Sequence, residues 1–155
     1  MRDRILANNY KVAVGPALCE TALNGVSAWP ASGSFIDVSG YELVHIVMHL
    51  GTLNASDAPC FTPACSDSAS GTQDEIDSTL RFTPDVTTDD GYCATWTIEV
   101  AKLPDDHHFV LIKLYSGVVT NGSYMDAIFL LEGRHLPVTQ TTTLLPSAHQ
   151  FSWVG

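Results

Sequence analysis

Four segments of strand length dominate the sequence, and none of them has helical periodicity. In these segments apolar and polar residues alternate, or β-branched and aromatic residues follow one another, as is typical of strands. They are ELVHIVMHL (42–50), CATWTIEV (93–100), FVLIKLY (109–115) and YMDAIFLL (124–131). Weaker segments of the same type lie at 10–14, 35–38, 61–65 and 79–82. This pattern predicts an all-β protein.

Clusters of Gly, Pro, Asn, Asp and Ser separate these segments, for example at 39–40, 89–91 and 121–122. Such residues favour turns, because they tolerate or fix the backbone angles that turns require. Asn121-Gly122 lies between two strong segments and predicts a hairpin. About eight short strands joined by turns predict an antiparallel β-sandwich or a jelly-roll-like fold.

The length of 155 residues suits a single domain, and no linker-like stretch divides the chain. We expect a basic N-terminal arm at 1–11, a β-sandwich core at 12–135 and an extended C-terminal tail at 136–155. The core between the two sheets is expected to contain residues from four strands. These are Val44, Ile46, Trp96, Ile98, Leu111, Ile128 and Leu130.

The net charge is −10, and it is distributed unevenly. Residues 1–11 hold Arg2, Arg4 and Lys11 against Asp3, whereas the rest of the chain holds four basic and sixteen acidic residues. An acidic body repels phosphate backbones, so we expect no direct binding of nucleic acid. A basic arm could instead contact an acidic protein surface.

No apolar run approaches the ~20 residues that span a bilayer, and the N-terminus lacks the apolar stretch of a signal peptide. We therefore expect no membrane partner and a chain made in the cytoplasm without export. In such a chain the cysteines are expected to be free, buried thiols. They are Cys19, Cys60, Cys65 and Cys93.

The sequence contains no G-x-S-x-G, P-loop or dinucleotide-binding motif, so we expect neither an enzyme nor a cofactor. The acidic segment at 67–77 lacks the ligand spacing of a calcium loop. His107 and His108 are adjacent, and neighbouring side chains of a strand point to opposite faces, which disfavours a shared metal. His45 and His49 share one strand face, two pleats apart, and are expected at a sheet surface or at a subunit interface.

The C-terminal tail has no charged residue after Arg134 but retains apolar and aromatic residues, unlike a typical disordered tail. We expect the tail to lie against another surface, with Leu144, Leu145, Phe151 and Trp153 buried there. Its threonines favour an extended path that can add to a sheet edge. The alternative is that the tail packs on its own sandwich.

Several motifs follow one another in a characteristic order. They are IDVSGYELVHIVMHLGTL, APCFTPACSDSASGTQDEID, DDGYCATWTIEVAKL, a pair of strands, and EGRHLPVTQT. This order, from Phe35 to Thr142, resembles the small cement, or decoration, proteins of tailed bacteriophage heads. The sequence departs from that family in having His135 where an aromatic residue is common, and in its cysteines at 60, 65 and 93.

The resemblance implies a non-enzymatic shell protein on the outer surface of the virion capsid, assembled in the host cytoplasm. Its expected partners are the major capsid protein of an HK97-like shell and further copies of itself in a homotrimer at local threefold positions. The residues expected to contact the capsid or a neighbouring subunit are Arg2, Arg4, Lys11, Leu144, Leu145, Phe151 and Trp153.

Two other functions remain open at the level of the sequence. A carbohydrate-binding or adhesin-like sandwich would expose Trp29, Tyr92, Trp96 and Tyr124. A cupin-like metal enzyme would use His45, His49, His107 and His108.

Overall fold

The computed structural model describes residues 10–14, 21–22, 26–116 and 123–133, with the backbone alone described for 10–14, 21–22 and residue 116. Within these ranges the chain forms ten strands. They are β1 (Tyr10–Val14), β2 (Thr21–Ala22), β3 (Ala28–Trp29), β4 (Ile36–Asp37), β5 (Tyr41–Leu50), β6 (Cys60–Ser66), β7 (Asp74–Glu75), β8 (Cys93–Glu99), β9 (Phe109–Ser116) and β10 (Tyr124–Gly133). Short 3-10 turns occupy Ser78–Leu80 and Val100–Lys102.

The strands form two antiparallel sheets that pack face to face. Sheet A has the order β1-β10-β5-β8, with β2 also on β10, and sheet B has the order β3-β9-β6-β7, with β4 also on β9. The expected antiparallel β-sandwich is therefore confirmed. Since β1 begins at Tyr10, the first strand starts two residues before the expected boundary between arm and core.

The main core lies between the two sheets, and β5 and β10 each contribute four of its buried residues. The inward side chains of β5 are fully buried and alternate with outward ones, as a sheet with one covered face requires. From the facing sheet, Trp29 stacks on Phe129 of β10 with ring centroids 5.9 Å apart. The expected core residues Val44, Ile46, Trp96 and Ile98 belong to this cluster.

Three expected core residues are placed differently. Ile128 is 39 % exposed and Leu130 is half-buried, because β10 directs Met125, Ala127, Phe129 and Leu131 inward instead. Leu111 is buried but belongs to a smaller cluster with Ala28, Phe35 and Ala64, on the opposite face of sheet B from the main core. A shift of one residue exchanges the two faces of a strand. Because both faces of YMDAIFLL are apolar, its pattern does not show which face is buried.

Two expected local structures are also wrong. The strands on either side of Asn121-Gly122 do not pair with each other, because β9 lies in sheet B and β10 in sheet A. The expected strand at 79–82 begins as a 3-10 turn whose Asp77 side chain accepts a hydrogen bond from the Thr79 amide, leaving one isolated bridge between Phe61 and Phe82.

Candidate interaction surfaces

Most of the residues expected to contact a capsid or a neighbouring subunit lie outside the described residues. Those are Arg2, Arg4, Leu144, Leu145, Phe151 and Trp153. The backbone of Lys11 lies in β1, where it pairs with Leu131 of β10. Their contacts with other chains stay predictions.

The outer face of β5 and β10 is a mixed apolar and ionisable surface. Val47 lies opposite Ile128 across the two strands, and His49 lies opposite Asp126. Ile128 is exposed, while Leu43, Val47 and Leu130 are half-buried, so this face is less polar than a fully solvated sheet face. In the sequence, this surface was indicated by apolar residues on both faces of ELVHIVMHL and YMDAIFLL.

His45 connects three strands on this outer face. Its Nδ1 lies 3.0 Å from Thr97 Oγ1 on β8, and its Nε2 lies 3.3 Å from Glu132 Oε2 on β10. The neutral ring can donate to the carboxylate and accept from the hydroxyl, and the protonated ring can donate to both. Both histidines of β5 thus lie on the same outer sheet face, as expected, with His49 exposed.

Strand β8 forms an edge of sheet A. The Leu50 amide donates to the Tyr92 carbonyl at 2.8 Å, and hydrogen-bonded pairs alternate along an antiparallel ladder. Ala94, Trp96 and Ile98 therefore use their backbone groups on β5, whereas those of Thr95 and Thr97 point away. Within the described part of the chain, no hydrogen bond reaches the outward backbone groups of 93–99.

A cleft of about 300 Å³ lies beside this edge. Its lining combines apolar side chains with three charged ones. The lining residues are Ile76, Asp77, Leu80, Thr97, Ile98, Glu99, Lys102 and Leu103. The Trp96 Nε1 donates to the Leu80 carbonyl at 2.9 Å, which fixes segment 78–80 against the strand next to the cleft.

The lysine and arginine side chains that the structure describes are all engaged within the body. Arg81 makes two hydrogen bonds of 2.6 Å to Glu75, and its guanidinium lies 3.6 Å from the centre of the Tyr115 ring. Lys102 pairs with Glu99 at 3.0 Å, and Lys113 donates to the Gln73 carbonyl at 2.9 Å. Because acidic residues greatly outnumber these cations, the surface of the body is negative.

The residues considered for metal binding do not converge. His45 and His49 lie on sheet A, whereas His107 binds Asp74 of sheet B at 3.0 Å and His108 is exposed. In the part of the chain that the structure describes, no group of three or more His, Cys, Asp or Glu side chains could hold a metal ion. The four histidines therefore do not form the shared centre that a cupin-like metal enzyme would need.

Acidic side chains in the loop before β8 close turns on their neighbours. Asp85 accepts hydrogen bonds from the amide and hydroxyl of Thr87, and the Tyr92 amide donates to the Asp89 carbonyl at 3.1 Å. Gly91 has φ +75°, a left-handed conformation that favours glycine. These residues therefore act as turn formers.

The four aromatic residues considered for carbohydrate binding are not presented together. Trp29 and Trp96 are buried in the core, Tyr124 is half-buried, and Tyr92 is 60 % exposed. Sugar rings stack on exposed aromatic faces, and of these four residues Tyr92 alone is mostly exposed. The alternation of CATWTIEV had already indicated that Trp96 faces inward.

The described cysteines are free, and they differ in exposure. Cys60 and Cys65 of β6 are buried, as expected, whereas Cys93 at the start of β8 is exposed, contrary to expectation. Burial, with a smaller contribution from Asp74, raises the pKa of the Cys65 thiol to about 11. The exposed thiol lies at the free edge of sheet A, where the outward residues of β8 face solvent.

The free edge and its cleft were not found from the sequence, because they depend on which strand ends the sheet. The alternation of CATWTIEV predicted a half-buried strand without indicating its neighbours. The only signal was the pair of threonines on its polar face, Thr95 and Thr97. Long-range pairing of β8 with β5, some fifty residues earlier, decides the order of the strands.

The architecture defines an all-β protein of the antiparallel sandwich class. In comparisons with known proteins, no family model, curated protein or solved structure matches the chain. The described residues contain no helix that is both long and apolar enough to cross a membrane.

Proposed function

We propose that this chain is a non-enzymatic decoration protein of a tailed-bacteriophage head. It binds the outer surface of the capsid as a homotrimer and stabilises the contacts between capsomers of the major capsid protein. The observation that carries this proposal is the order of the motifs that resemble the decoration family, together with their positions on the two sheets.

The resembling motifs supply much of the framework of the sandwich. IDVSGYELVHIVMHLGTL covers β4, the turn at Gly40 and β5, and APCFTPACSDSASGTQDEID covers β6 and β7. DDGYCATWTIEVAKL covers the turn at Gly91 and β8, and the strand pair corresponds to β9 and β10. The resemblance therefore follows elements that hold the core together, which supports a relation in fold.

The physical properties of the body agree with such a role. A pressurised DNA-filled head needs a rigid component that holds adjacent capsomers, and the continuous core between two sheets provides rigidity. The acidic body favours a position on the outside of the shell, away from the packaged DNA. Arg2 and Arg4 of the basic arm, with Lys11 where β1 begins, are then proposed to contact acidic surface of the capsid or of a neighbouring copy.

The proposal is tested by incubating the purified protein with undecorated heads and determining the particle structure by electron cryomicroscopy. We expect density for a trimer on the outer surface at local threefold positions. Density inside the shell, isolated monomers, or no binding to heads would contradict the proposal. A glycan array probed with the same protein tests the carbohydrate-binding alternative, for which strong, saturable binding is required.

A further inference from the structure

The free edge of β8 is a surface to which another strand can be added. Its outward backbone groups, centred on Thr95 and Thr97, have no hydrogen-bond partner within the described residues. The exposed side chains of Cys93, Thr95 and Thr97 along this edge are short and uncharged. The cleft next to the edge is partly apolar. An unpaired edge of this kind is a template for strand addition.

One segment of the same chain matches this edge in length and chemistry. Pro137 and Pro146 bracket Val138–Leu145, eight residues that contain no charge, no glycine and no further proline. The residue before a proline is biased towards extended backbone, and threonine, valine and leucine accept that conformation. Eight extended residues span about 26 Å and the seven residues of β8 about 23 Å, so the two lengths agree.

We propose that Val138–Leu145 of one copy pairs with the free edge of β8 in a second copy. In this arrangement Thr139, Thr141 and Thr143 share a face, and they lie beside Thr95 and Thr97 on the outer surface. Cross-strand threonine pairs are favourable. Val138 and Leu144 then belong to the opposite face, on the side of the apolar lining of the cleft.

The geometry of sheet A favours a second copy over the same copy. In sheet A, β5 lies between β10 and β8, so a strand added beside β8 is three strand spacings from β10. That distance is about 14 Å. The five Cα–Cα steps from Gly133 to Val138 reach about 17 Å when fully extended, which leaves little slack for a detour. The direct path also crosses the end of β5, where the turn Val100–Lys102 packs. A tail from a second copy does not have to cross this end of β5.

Donation from each copy to the next is a head-to-tail interface, and three such interfaces can close into a ring. The inference thus deepens the proposed function, because it assigns the contact that would hold the homotrimer together. Its test uses the full-length protein in solution without heads. A failure to self-associate therefore overturns this inference, whereas a failure to bind heads overturns the proposed function.

The first experiment measures the self-association of the full chain by analytical ultracentrifugation. Thr97→Pro removes an outward N–H of β8 and the Thr97 hydroxyl, whereas the matched control Thr97→Val removes the hydroxyl and keeps the N–H. We expect the proline variant to weaken association about tenfold or more and the valine variant to behave like the parent. Circular dichroism of each variant verifies that the sandwich is folded. Equal association of all three proteins would overturn the inference.

A proline scan through the donated segment gives a second, independent measurement. A strand added to one edge uses alternate N–H groups, so substitutions from Thr139 to Thr143 should weaken association with a period of two. A uniform effect at every position, or none at any, would contradict strand addition. These substitutions lie outside the described strands, and circular dichroism checks that each variant remains folded.

Cysteine cross-linking distinguishes the second copy from the same copy. In a Cys93→Ser background, one chain carries Thr97→Cys and another carries Thr139→Cys, Thr141→Cys or Thr143→Cys, and the mixture is oxidised with diamide. We expect a two-chain product for at least one of the three pairs. A further chain carries both introduced cysteines. If only this chain forms a cross-link, and forms it within itself, the inference is overturned, as it is if no cross-link forms at all.

Discussion

Trp96 connects the edge strand to the segment that precedes it. Its side chain is 9 % exposed, its Nε1 donates to the Leu80 carbonyl, and its ring makes a T-shaped contact with Phe82 at 6.5 Å between centroids. We expect Trp96→Ala to lower the free energy of unfolding by about 3–5 kcal/mol, measured by urea denaturation. Trp96→Phe should lose less, because it keeps an aromatic ring. A loss under about 1 kcal/mol for the alanine variant would show that the site tolerates the cavity.

Two neighbouring residues of β10 test which face of this strand is buried. Phe129 is fully buried against Trp29, whereas Ile128 is exposed on the outer face. We expect Phe129→Ala to cost about 3–5 kcal/mol and Ile128→Ala less than about 1 kcal/mol in the isolated protein. The two variants are controls for each other in one denaturation experiment. The reverse order would place the sheet register one residue away.

The pair of Arg81 and Glu75 predicts a dependence of stability on pH. The hydrogen bonds and charge of Arg81 hold the pKa of the Glu75 carboxyl below its usual range. A depressed pKa in the folded state stabilises the protein above the ordinary carboxyl pKa, and this contribution is lost as the pH falls towards the folded value. Glu75→Gln should therefore destabilise the protein at neutral pH, and its difference from the parent should shrink as the pH falls below the ordinary pKa of a glutamate carboxyl.

Glu99→Gln is the matched control for this measurement, because Glu99 pairs with Lys102 in a solvent-exposed position. We expect little change in stability from this variant at either pH, since exposed ion pairs contribute little. If Glu75→Gln and Glu99→Gln had the same effect at every pH, the two hydrogen bonds from Arg81 would add no stability.

At the scale of elements, β6 is buried along its whole length, and this predicts the reactivity of its thiols. Burial raises the pKa of Cys65 to about 11, and thiolates rather than thiols react with alkylating reagents. In the folded protein at about pH 8, we expect iodoacetamide to modify Cys93 quickly and Cys60 and Cys65 slowly. Peptide mass spectrometry identifies each modified site, and unfolding in urea should make the rates similar. Fast modification of Cys65 in the folded protein would contradict its buried position.

The longer elements could be predicted from the sequence because their pattern is local. β5, β8, β9 and β10 begin and end within two residues of the expected segments. The two-residue strands β2, β3 and β7 could not be predicted, since a pattern of period two cannot be seen in two residues. They exist because a long neighbouring strand offers a free edge.

The faces of the strands were predictable only where one face is polar. The threonines of β8 identify its outer face, so Trp96 and Ile98 were placed correctly in the core. In β10 and β9 both faces are apolar. Which face is buried in the main core therefore depends on the sheet that each strand joins. Long-range pairing settles that choice, and it also separates β9 from β10 despite the turn-like Asn121-Gly122 between them.

At the scale of the whole molecule, a negative body combines with a free strand edge and a partly apolar sheet face. Its described lysine and arginine side chains are engaged internally, so attraction to acidic partners depends on cations elsewhere in the chain. The N-terminal arm supplies Arg2 and Arg4, β1 supplies Lys11, and the tail supplies apolar residues without charge. Two contacts of different physical character are therefore expected, and salt separates them, because screening weakens ionic contacts more than apolar ones.

The last prediction uses this difference on purified heads across a salt series. Changing Arg2 and Arg4 to Ala should reduce occupancy at low salt, and the variant should approach the parent at high salt, where the ionic contact is screened. Deleting residues 146–155 should reduce occupancy at every salt concentration, because Phe151 and Trp153 could each contribute roughly 1.5–3 kcal/mol when buried. Lys113→Ala, which removes a cation of sheet B that is bonded within the body, is the control and should bind like the parent. If both terminal variants decorate heads as fully as the parent throughout the series, the termini do not hold the protein on the shell.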